Sequence, residues 1–122
     1  MTFTVIVTGS RDYKDWAKVW EELDSLIRQY PDLIIRHGGC PTGADRFASM
    51  WISTWYKPSN IIEAVYEADW DKHGKAAGPI RNREMAQAGA DLCLAFPLGE
   101  SRGTWNCVNE CKKAGIPVKV IK

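Results

Sequence analysis

The sequence predicts an α/β fold on three observations. Five short β-branched or apolar runs alternate with four longer stretches of helical periodicity, which is typical of right-handed βαβ units and a parallel sheet. Several of the short runs are continuously apolar, as expected for strands that are covered on both faces. A length of 122 residues suits a single domain, here residues 1–122. Together these features predict a Rossmann-like three-layer sandwich around a five-stranded parallel sheet in the strand order 3-2-1-4-5.

The short runs are the predicted strands. Val5-Ile6-Val7 and Leu33-Ile34-Ile35 contain no polar residue, so these strands are expected to be buried on both faces. The predicted strands are Phe3 to Thr8, Leu33 to His37, Ile61 to Tyr66, Asp91 to Phe96 and Pro117 to Ile121.

The stretches between the strands show the spacing of amphipathic helices. In the first of them, Trp16, Val19 and Leu23 lie on one stripe. Pro79 suits the first turn of the third helix, and Gly89 suits its end. The polar stretch before that helix is expected to be a long loop. The predicted helices are Asp15 to Gln29, Gly43 to Tyr56, Ile80 to Ala88 and Thr104 to Ala114.

The composition is that of an ordinary globular protein and excludes intrinsic disorder. Lys and Arg number 16 against 15 Asp and Glu, for a formal net charge of +1, and 45% of the residues are hydrophobic. This balance argues against a general binder of nucleic acids or of anionic membranes. The amino terminus lacks a basic leader, and no apolar run approaches the ~20 residues of a membrane span. We therefore expect a cytoplasmic protein.

The four cysteines do not predict a disulfide framework in a chain of this length. Cys107 and Cys111 are spaced i,i+4 on a predicted helix, which offers two donors to a metal ion. A zinc site needs a further pair of ligands, however, and His37 and His73 stand alone in the sequence. We therefore expect reduced thiols, no metal site and no cofactor.

The loops that follow the first four strands carry the candidate binding residues. In an open parallel sheet these loops meet at one rim, where ligands bind. Glycines let backbone N–H groups approach a ligand, helix amino termini favour anions, and arginines add bidentate donors. The expected result is an electropositive notch for a phosphorylated ligand. The residues expected to bind it are Gly9, Ser10, Arg11, Gly38, Gly39, Thr42, Gly43, Asp45, Trp70, His73, Lys75, Arg81, Asn82, Arg102, Gly103 and Thr104.

Each of these features also has a simpler structural interpretation. The glycines could serve only as tight turns, and Asp45 could be a first-turn helix carboxylate rather than an acceptor for ribose hydroxyls. His73 and Lys75 could simply be solvated on a surface loop. Trp51 fits the core, whereas Trp70 stands among polar residues and is a candidate for stacking on a base. The combination on one rim is what favours a nucleotide or a phosphorylated sugar.

Read in order, several segments resemble the small YspA/YpsA-related SLOG proteins of bacteria and their phages. The resemblance implies a Rossmann-like fold and a nucleotide-derived ligand. It places the chain beside the lonely-guy phosphoribohydrolases and the DNA-processing protein DprA, in a superfamily implicated in nucleotide metabolism and in sensing nucleotide signals. The segments that carry it are Val7-Thr8-Gly9-Ser10-Arg11-Asp12, His37-Gly38-Gly39-Cys40-Pro41-Thr42-Gly43-Ala44-Asp45, Gly78-Pro79-Ile80-Arg81-Asn82-Arg83-Glu84-Met85, Gly89-Ala90-Asp91 and Arg102-Gly103-Thr104.

The sequence departs from the lonely-guy pattern at the carboxylates. In those enzymes the Gly-Thr pair is followed by two glutamates, and an upstream arginine assists catalysis. Here Arg81 matches the arginine, but Asn106 and Cys107 occupy the glutamate positions. An amide or a thiol cannot replace the carboxylate of an N-glycosidase. If the chain is an enzyme, the expected catalytic residues are Arg81 and Glu84, with Glu100 or Asp45 as other possible carboxylates.

The sequence thus predicts a protein that binds a nucleotide or nucleotide-derived ligand, as a sensor or a nucleotide-processing protein. One alternative is an N-glycosidase or phosphoribohydrolase that acts on nucleoside monophosphates. Another is a DNA- or protein-binding module, favoured by the six tryptophans and the kinship with DprA. Nucleic acid is not the expected partner, because the charge is balanced. A homo-dimer or higher homo-oligomer is expected, since related folds pair through helices that flank the site.

Overall fold

The computed structural model describes residues 2–55 and 60–122 and has one five-stranded sheet. Its strands are β1 (Phe3–Gly9), β2 (Asp32–His37), β3 (Asn60–Val65), β4 (Leu92–Phe96) and β5 (Val118–Val120). All the strand pairs are parallel, in the order β3-β2-β1-β4-β5. The predicted fold class and strand order are confirmed.

Within residues 2–55 and 60–122, four long helices and one short helix connect the strands. They are α1 (Trp16–Gln29), α2 (Gly43–Trp55), α3 (Trp70–His73), α4 (Ala77–Gln87) and α5 (Arg102–Lys113). Tyr56, the predicted last residue of the second helix, lies outside the described residues. Within the described part of the chain, no helix has both the length and the apolar character needed to cross a bilayer.

The predicted long loop after β3 is wrong, because this stretch is largely helical. The Asp69 carboxylate accepts a hydrogen bond of 3.1 Å from the Lys72 N–H, which caps the start of α3. A 3₁₀ turn over Gly74–Ala76 then leads into α4, which begins at Ala77 rather than at Ile80. One turn of helix is too short to show an apolar stripe, so periodicity could not reveal α3.

The helices cover both faces of the sheet. Helices α1 and α2 pack on one face, over a core that includes Leu23, Ile35 and Phe96. Helices α4 and α5 cover the other face, where Ile6 and Met85 are buried. Trp51 is fully buried in the first core, and its indole N–H donates to Asp24 at 2.9 Å, so it is a core residue as predicted.

The carboxyl ends of β1, β2 and β4 lie at one rim of the sheet. Gly9 pairs with Phe96, and His37 pairs with Val65, so the last residues of neighbouring strands stand side by side. The amino termini of α2 and α5 each follow one of these strand ends after a loop of five residues. The topology therefore brings the glycine-rich loops and two helix starts to the same edge.

Candidate functional site

A cavity of about 1010 Å³ opens at this rim, between the loops that follow β1, β2, β3 and β4. All the predicted ligand-binding residues except Gly43, His73 and Lys75 line it. Those that do are Gly9, Ser10, Arg11, Gly38, Gly39, Thr42, Asp45, Trp70, Arg81, Asn82, Arg102, Gly103 and Thr104. Distant parts of the chain thus converge on one concave surface.

Four predicted site residues do not line the cavity. Gly43 is buried at the start of α2, where it packs against the backbone of the loop after β1. His73 and Lys75 are exposed on α3 and on the 3₁₀ turn that follows. Glu84, the predicted catalytic carboxylate, is exposed on α4 outside the cavity lining. Asp45, which lines the cavity, is therefore a better candidate for a catalytic carboxyl than Glu84.

Arg81 of α4 is held at the ends of β2 and β3. Its Nη1 donates to the carbonyl of Gly38 at 2.9 Å and to the carbonyl of Tyr66 at 3.2 Å. Its Nε donates to Asn82 Oδ1 at 2.8 Å. Among the described residues, no hydrogen-bond partner is found for Nη2. Three of the five N–H groups of the Arg81 guanidinium thus hold it in place, and the two on Nη2 stay available to a ligand.

Asn82 connects Arg81 to the first turn of α5. The side chain is buried, with 3% of its surface exposed. While its Oδ1 accepts from Arg81, its Nδ2 donates to the Gly103 carbonyl at 3.2 Å and to Asn106 Oδ1 at 2.9 Å. Asn106 stands where the lonely-guy pattern has a glutamate. In this chain that position helps to hold the arginine and the helix start in one arrangement.

The start of α5 is suited to bind an anion. The first turn contains no acidic residue, and among the described residues no side chain caps its backbone N–H groups. Ser101, with φ +49°, donates instead from its hydroxyl to Thr104 Oγ1 at 2.8 Å. Gly103 lines the cavity in this turn. The unpaired N–H groups and the helix dipole therefore present partial positive charge beside the cavity.

The start of α2 differs because it contains an acidic residue. Asp45 is 8% exposed, and its Oδ2 accepts from the Cys40 N–H at 3.2 Å. Burial raises the pKa of this carboxyl, although His37, the N–H groups of Cys40 and Gly38, and Arg81 oppose the shift. An internal carboxylate thus already occupies the α2 amino terminus. Of the two predicted phosphate cradles, α5 is the stronger anion site.

Replacing Asp45 with asparagine is expected to stabilise the protein at neutral pH. The pKa of Asp45 in the folded state lies above its ordinary value of 3.8, so burial penalises the ionised form. Wild-type stability should therefore fall as pH rises from about 4 through the raised pKa. The amide of Asp45→Asn can still accept from Cys40 without this penalty. Urea unfolding at pH 7 and at about pH 4 should show a gain for the variant that shrinks at the lower pH.

A less stable variant at pH 7 would contradict this expectation. It would mean that the hydrogen bonds and charges around the carboxylate outweigh the cost of burying it. Thr42→Ala, a change at an exposed residue of the same loop, is the matched control and should show no such pH dependence.

The cavity carries mixed charge rather than the predicted positive charge alone. The lining includes three arginines, but also Asp12, Asp45, Glu67 and Glu100. Glu100 lies 3.5 Å from Arg102 and offsets part of its charge. Such a lining suits a ligand that has both an anionic group and hydrogen-bond donors, such as hydroxyl or amino groups.

Trp70 stands on the rim with 55% of its surface exposed and also lines the cavity. A Cβ atom on Gly78 would lie 3.3 Å from the Trp70 ring, so the indole packs closely on the α4 backbone. Glu67 also lines the cavity but was not among the predicted site residues. It comes two residues after β3, so the expectation that residues after strand ends meet at the rim could have identified it. An exposed aromatic ring and a carboxylate therefore share this side of the cavity.

Comparison with known proteins identifies a family model and a phage protein that are similar to this chain. The sequence model of the YspA, cpYpsA-related SLOG family matches residues 3–73. The Gene 61 protein of Mycobacterium phage D29 is 49% identical over 118 residues, which cover 93% of this chain and 92% of the phage protein. The family match begins at β1 and ends with α3, so it includes the loops after β1 and β2 that line the cavity.

Proposed function

We propose that this chain, which belongs to the YspA, cpYpsA-related SLOG family, binds a nucleotide or a nucleotide-derived phosphorylated ligand in the rim cavity. One observation supports the proposal above all. The uncapped start of α5 and the guanidinium of Arg81 border the same cavity and are joined through the buried Asn82. Together they offer backbone N–H groups and a fixed cation, the combination that phosphate prefers.

The phosphate is assigned to the α5 side of the cavity. Its oxygens would accept from the N–H groups of Gly103 and Thr104 and from Nη2 of Arg81. Arg11 and Arg102 are exposed on the same lining and would add mobile cationic donors. A phosphorylated ligand should therefore bind much more tightly than its unphosphorylated counterpart.

The rest of the ligand is assigned to the acidic and aromatic part of the lining. Asp45 would accept hydrogen bonds from ribose hydroxyls, and Trp70 would stack on the base. Small-molecule sites usually measure about 300–1,000 Å³. A cavity of about 1010 Å³ is at the upper end of that range and leaves room for a ligand larger than a mononucleotide.

Titration calorimetry against nucleoside monophosphates, ADP-ribose, NAD and cyclic dinucleotides tests the proposal. We expect at least one of these compounds to bind with a stoichiometry of one per chain. The matched unphosphorylated nucleoside and inorganic phosphate are expected to bind at least about tenfold more weakly, because each lacks one half of the contacts. No binding by any phosphorylated probe would overturn the proposal.

A second candidate function is hydrolysis of the N-glycosidic bond of a bound nucleotide. The observation that favours it is the buried carboxyl of Asp45, which lines the cavity and whose pKa is raised. A carboxyl with a raised pKa can act as a general acid or base. Chromatography should then detect free base, lost with Asp45→Asn and kept with Glu84→Gln. A nucleotide that binds but releases no base would leave binding as the function.

We also propose three further properties of this chain. A sensor of nucleotide signals would need only the binding described above. A cytoplasmic location agrees with the four free thiols. Self-association stays a prediction, which sedimentation of the full chain would test.

A further inference from the structure

Three cysteines meet on the α4 and α5 side of the sheet, outside the residues assigned to the ligand. Cys93 lies on β4, and Cys107 and Cys111 lie one turn apart on α5. Their Sγ atoms all lie within 4.8 Å of one another, and each residue is 0% exposed. The helix spacing alone supplies two sulfur donors. The packing of α5 on β4 supplies the third.

We propose that Cys93, Cys107 and Cys111 form a tri-thiolate site for a soft, thiophilic metal ion such as Zn²⁺, Cd²⁺ or Cu⁺. Thiolate sulfur is the protein donor that these ions prefer. Metal–sulfur bonds of about 2.3 Å place the ligating sulfurs about 3.8 Å apart in a tetrahedral site. Sulfurs already within 4.8 Å need only small side-chain adjustments to reach that spacing. The donors come from a packed strand and helix, so the folded chain holds them together.

The cluster lies directly behind the wall of the rim cavity. The Thr8 side chain lies beside the Cys107 thiol and also lines the cavity. Met85 packs in the same apolar cluster as the three cysteines and lines the cavity as well. A metal ion that enters from the cavity would therefore have to pass between these two side chains to reach the sulfurs. A water molecule from the cavity would supply the fourth ligand.

Binding exchanges protons for metal and transfers no electrons. Three S–H bonds break, three sulfur–metal bonds form, and three protons leave to the solvent. The affinity should therefore rise with pH.

Titration of the reduced wild-type protein with Cd²⁺ tests the site. We expect one ion per chain, an ultraviolet sulfur-to-cadmium charge-transfer band, and three sulfur neighbours in the X-ray absorption spectrum of the bound ion. Cys107→Ser should lose the band. Cys40→Ser is the matched control, because Cys40 is the cysteine outside the cluster, and it should keep the band unchanged.

Several results would overturn the proposal. One is the absence of the charge-transfer band in the wild type, and another is coordination by nitrogen and oxygen alone. Dependence of the band on Cys40 is a third. If Cys107→Ser does not fold, as judged by circular dichroism, the sulfur count in the wild type still decides the question. Cys111→Ala provides a second variant with the same expected loss.

Discussion

Replacing Gly43 with alanine is expected to destabilise the fold by about 2–5 kcal/mol, from left-handed backbone strain and steric overlap together. Gly43 has φ +72°, and an added Cβ would overlap the Ser10 carbonyl oxygen and lie 2.8 Å from the Arg11 Cα. Both of these neighbours are backbone atoms, so a rotamer change cannot relieve the overlap. Urea unfolding of the variant should show the loss, together with weaker ligand binding as the two loops separate.

Gly89→Ala is the matched control for this prediction. Gly89 has a similar φ of +84°, but nothing lies within 4 Å of the position of its added Cβ. This variant should lose only the cost of the left-handed backbone, about 1–2 kcal/mol. If the two variants were equally destabilised, the packing of Gly43 against the loop after β1 would not contribute to stability.

Replacing Arg81 with alanine is expected to lower the affinity for a phosphorylated ligand by about 10- to 100-fold, the usual effect of losing charge-assisted hydrogen bonds. The carbonyls of Gly38 and Tyr66 would also lose their donor, and Asn82 would lose the partner of its Oδ1. Unfolding should therefore become easier by about 1–3 kcal/mol. Arg81→Lys should recover only part of the affinity, because one ammonium group cannot replace the planar guanidinium.

Arg83→Ala removes the same charge from the same helix and is the control. Arg83 is exposed on α4 and does not line the cavity. Calorimetry should show a nearly unchanged affinity for this variant. Equal losses for both variants would mean that long-range charge, and not the fixed guanidinium, attracts the ligand.

The sheet could be predicted because its signals are local and repetitive. Alternating apolar runs and amphipathic stretches define βαβ units, and their right-handed connection leaves few possible strand orders. The rim loops could be predicted for the same reason, since each follows a strand end. Residues as distant in the sequence as Gly9 and Thr104 both line the cavity, because the parallel strands end at the same rim.

The rest depended on contacts between residues distant in the sequence. Asn82 could be listed as a site residue, but its bonds to Arg81 and to the start of α5 depend on how two helices pack. Glu84 lies two residues after Asn82 on α4, and its side chain is on the exposed side of the helix. Which side of α4 faces the cavity depends on how that helix packs on the sheet. Cys93 joins Cys107 and Cys111 only through the packing of α5 on β4. Spacing along the sequence does not show how helices pack against each other and against the sheet, so it could not supply the contacts of Asn82 and Cys93.

Amide and indole chemical shifts of isotope-labelled protein, recorded during titration with ADP-ribose or a nucleoside monophosphate, test most directly whether the rim cavity is the binding site. The largest shifts are expected at the amides of Gly38, Gly103 and Thr104 and at the Trp70 indole. The chemical shift of the Trp16 indole should not change, because Trp16 lies outside the cavity lining. Trp16 is a matched control, since it is 54% exposed and Trp70 is 55% exposed. Shifts centred on Trp16, or unchanged spectra with every phosphorylated probe, would contradict a nucleotide site at this rim.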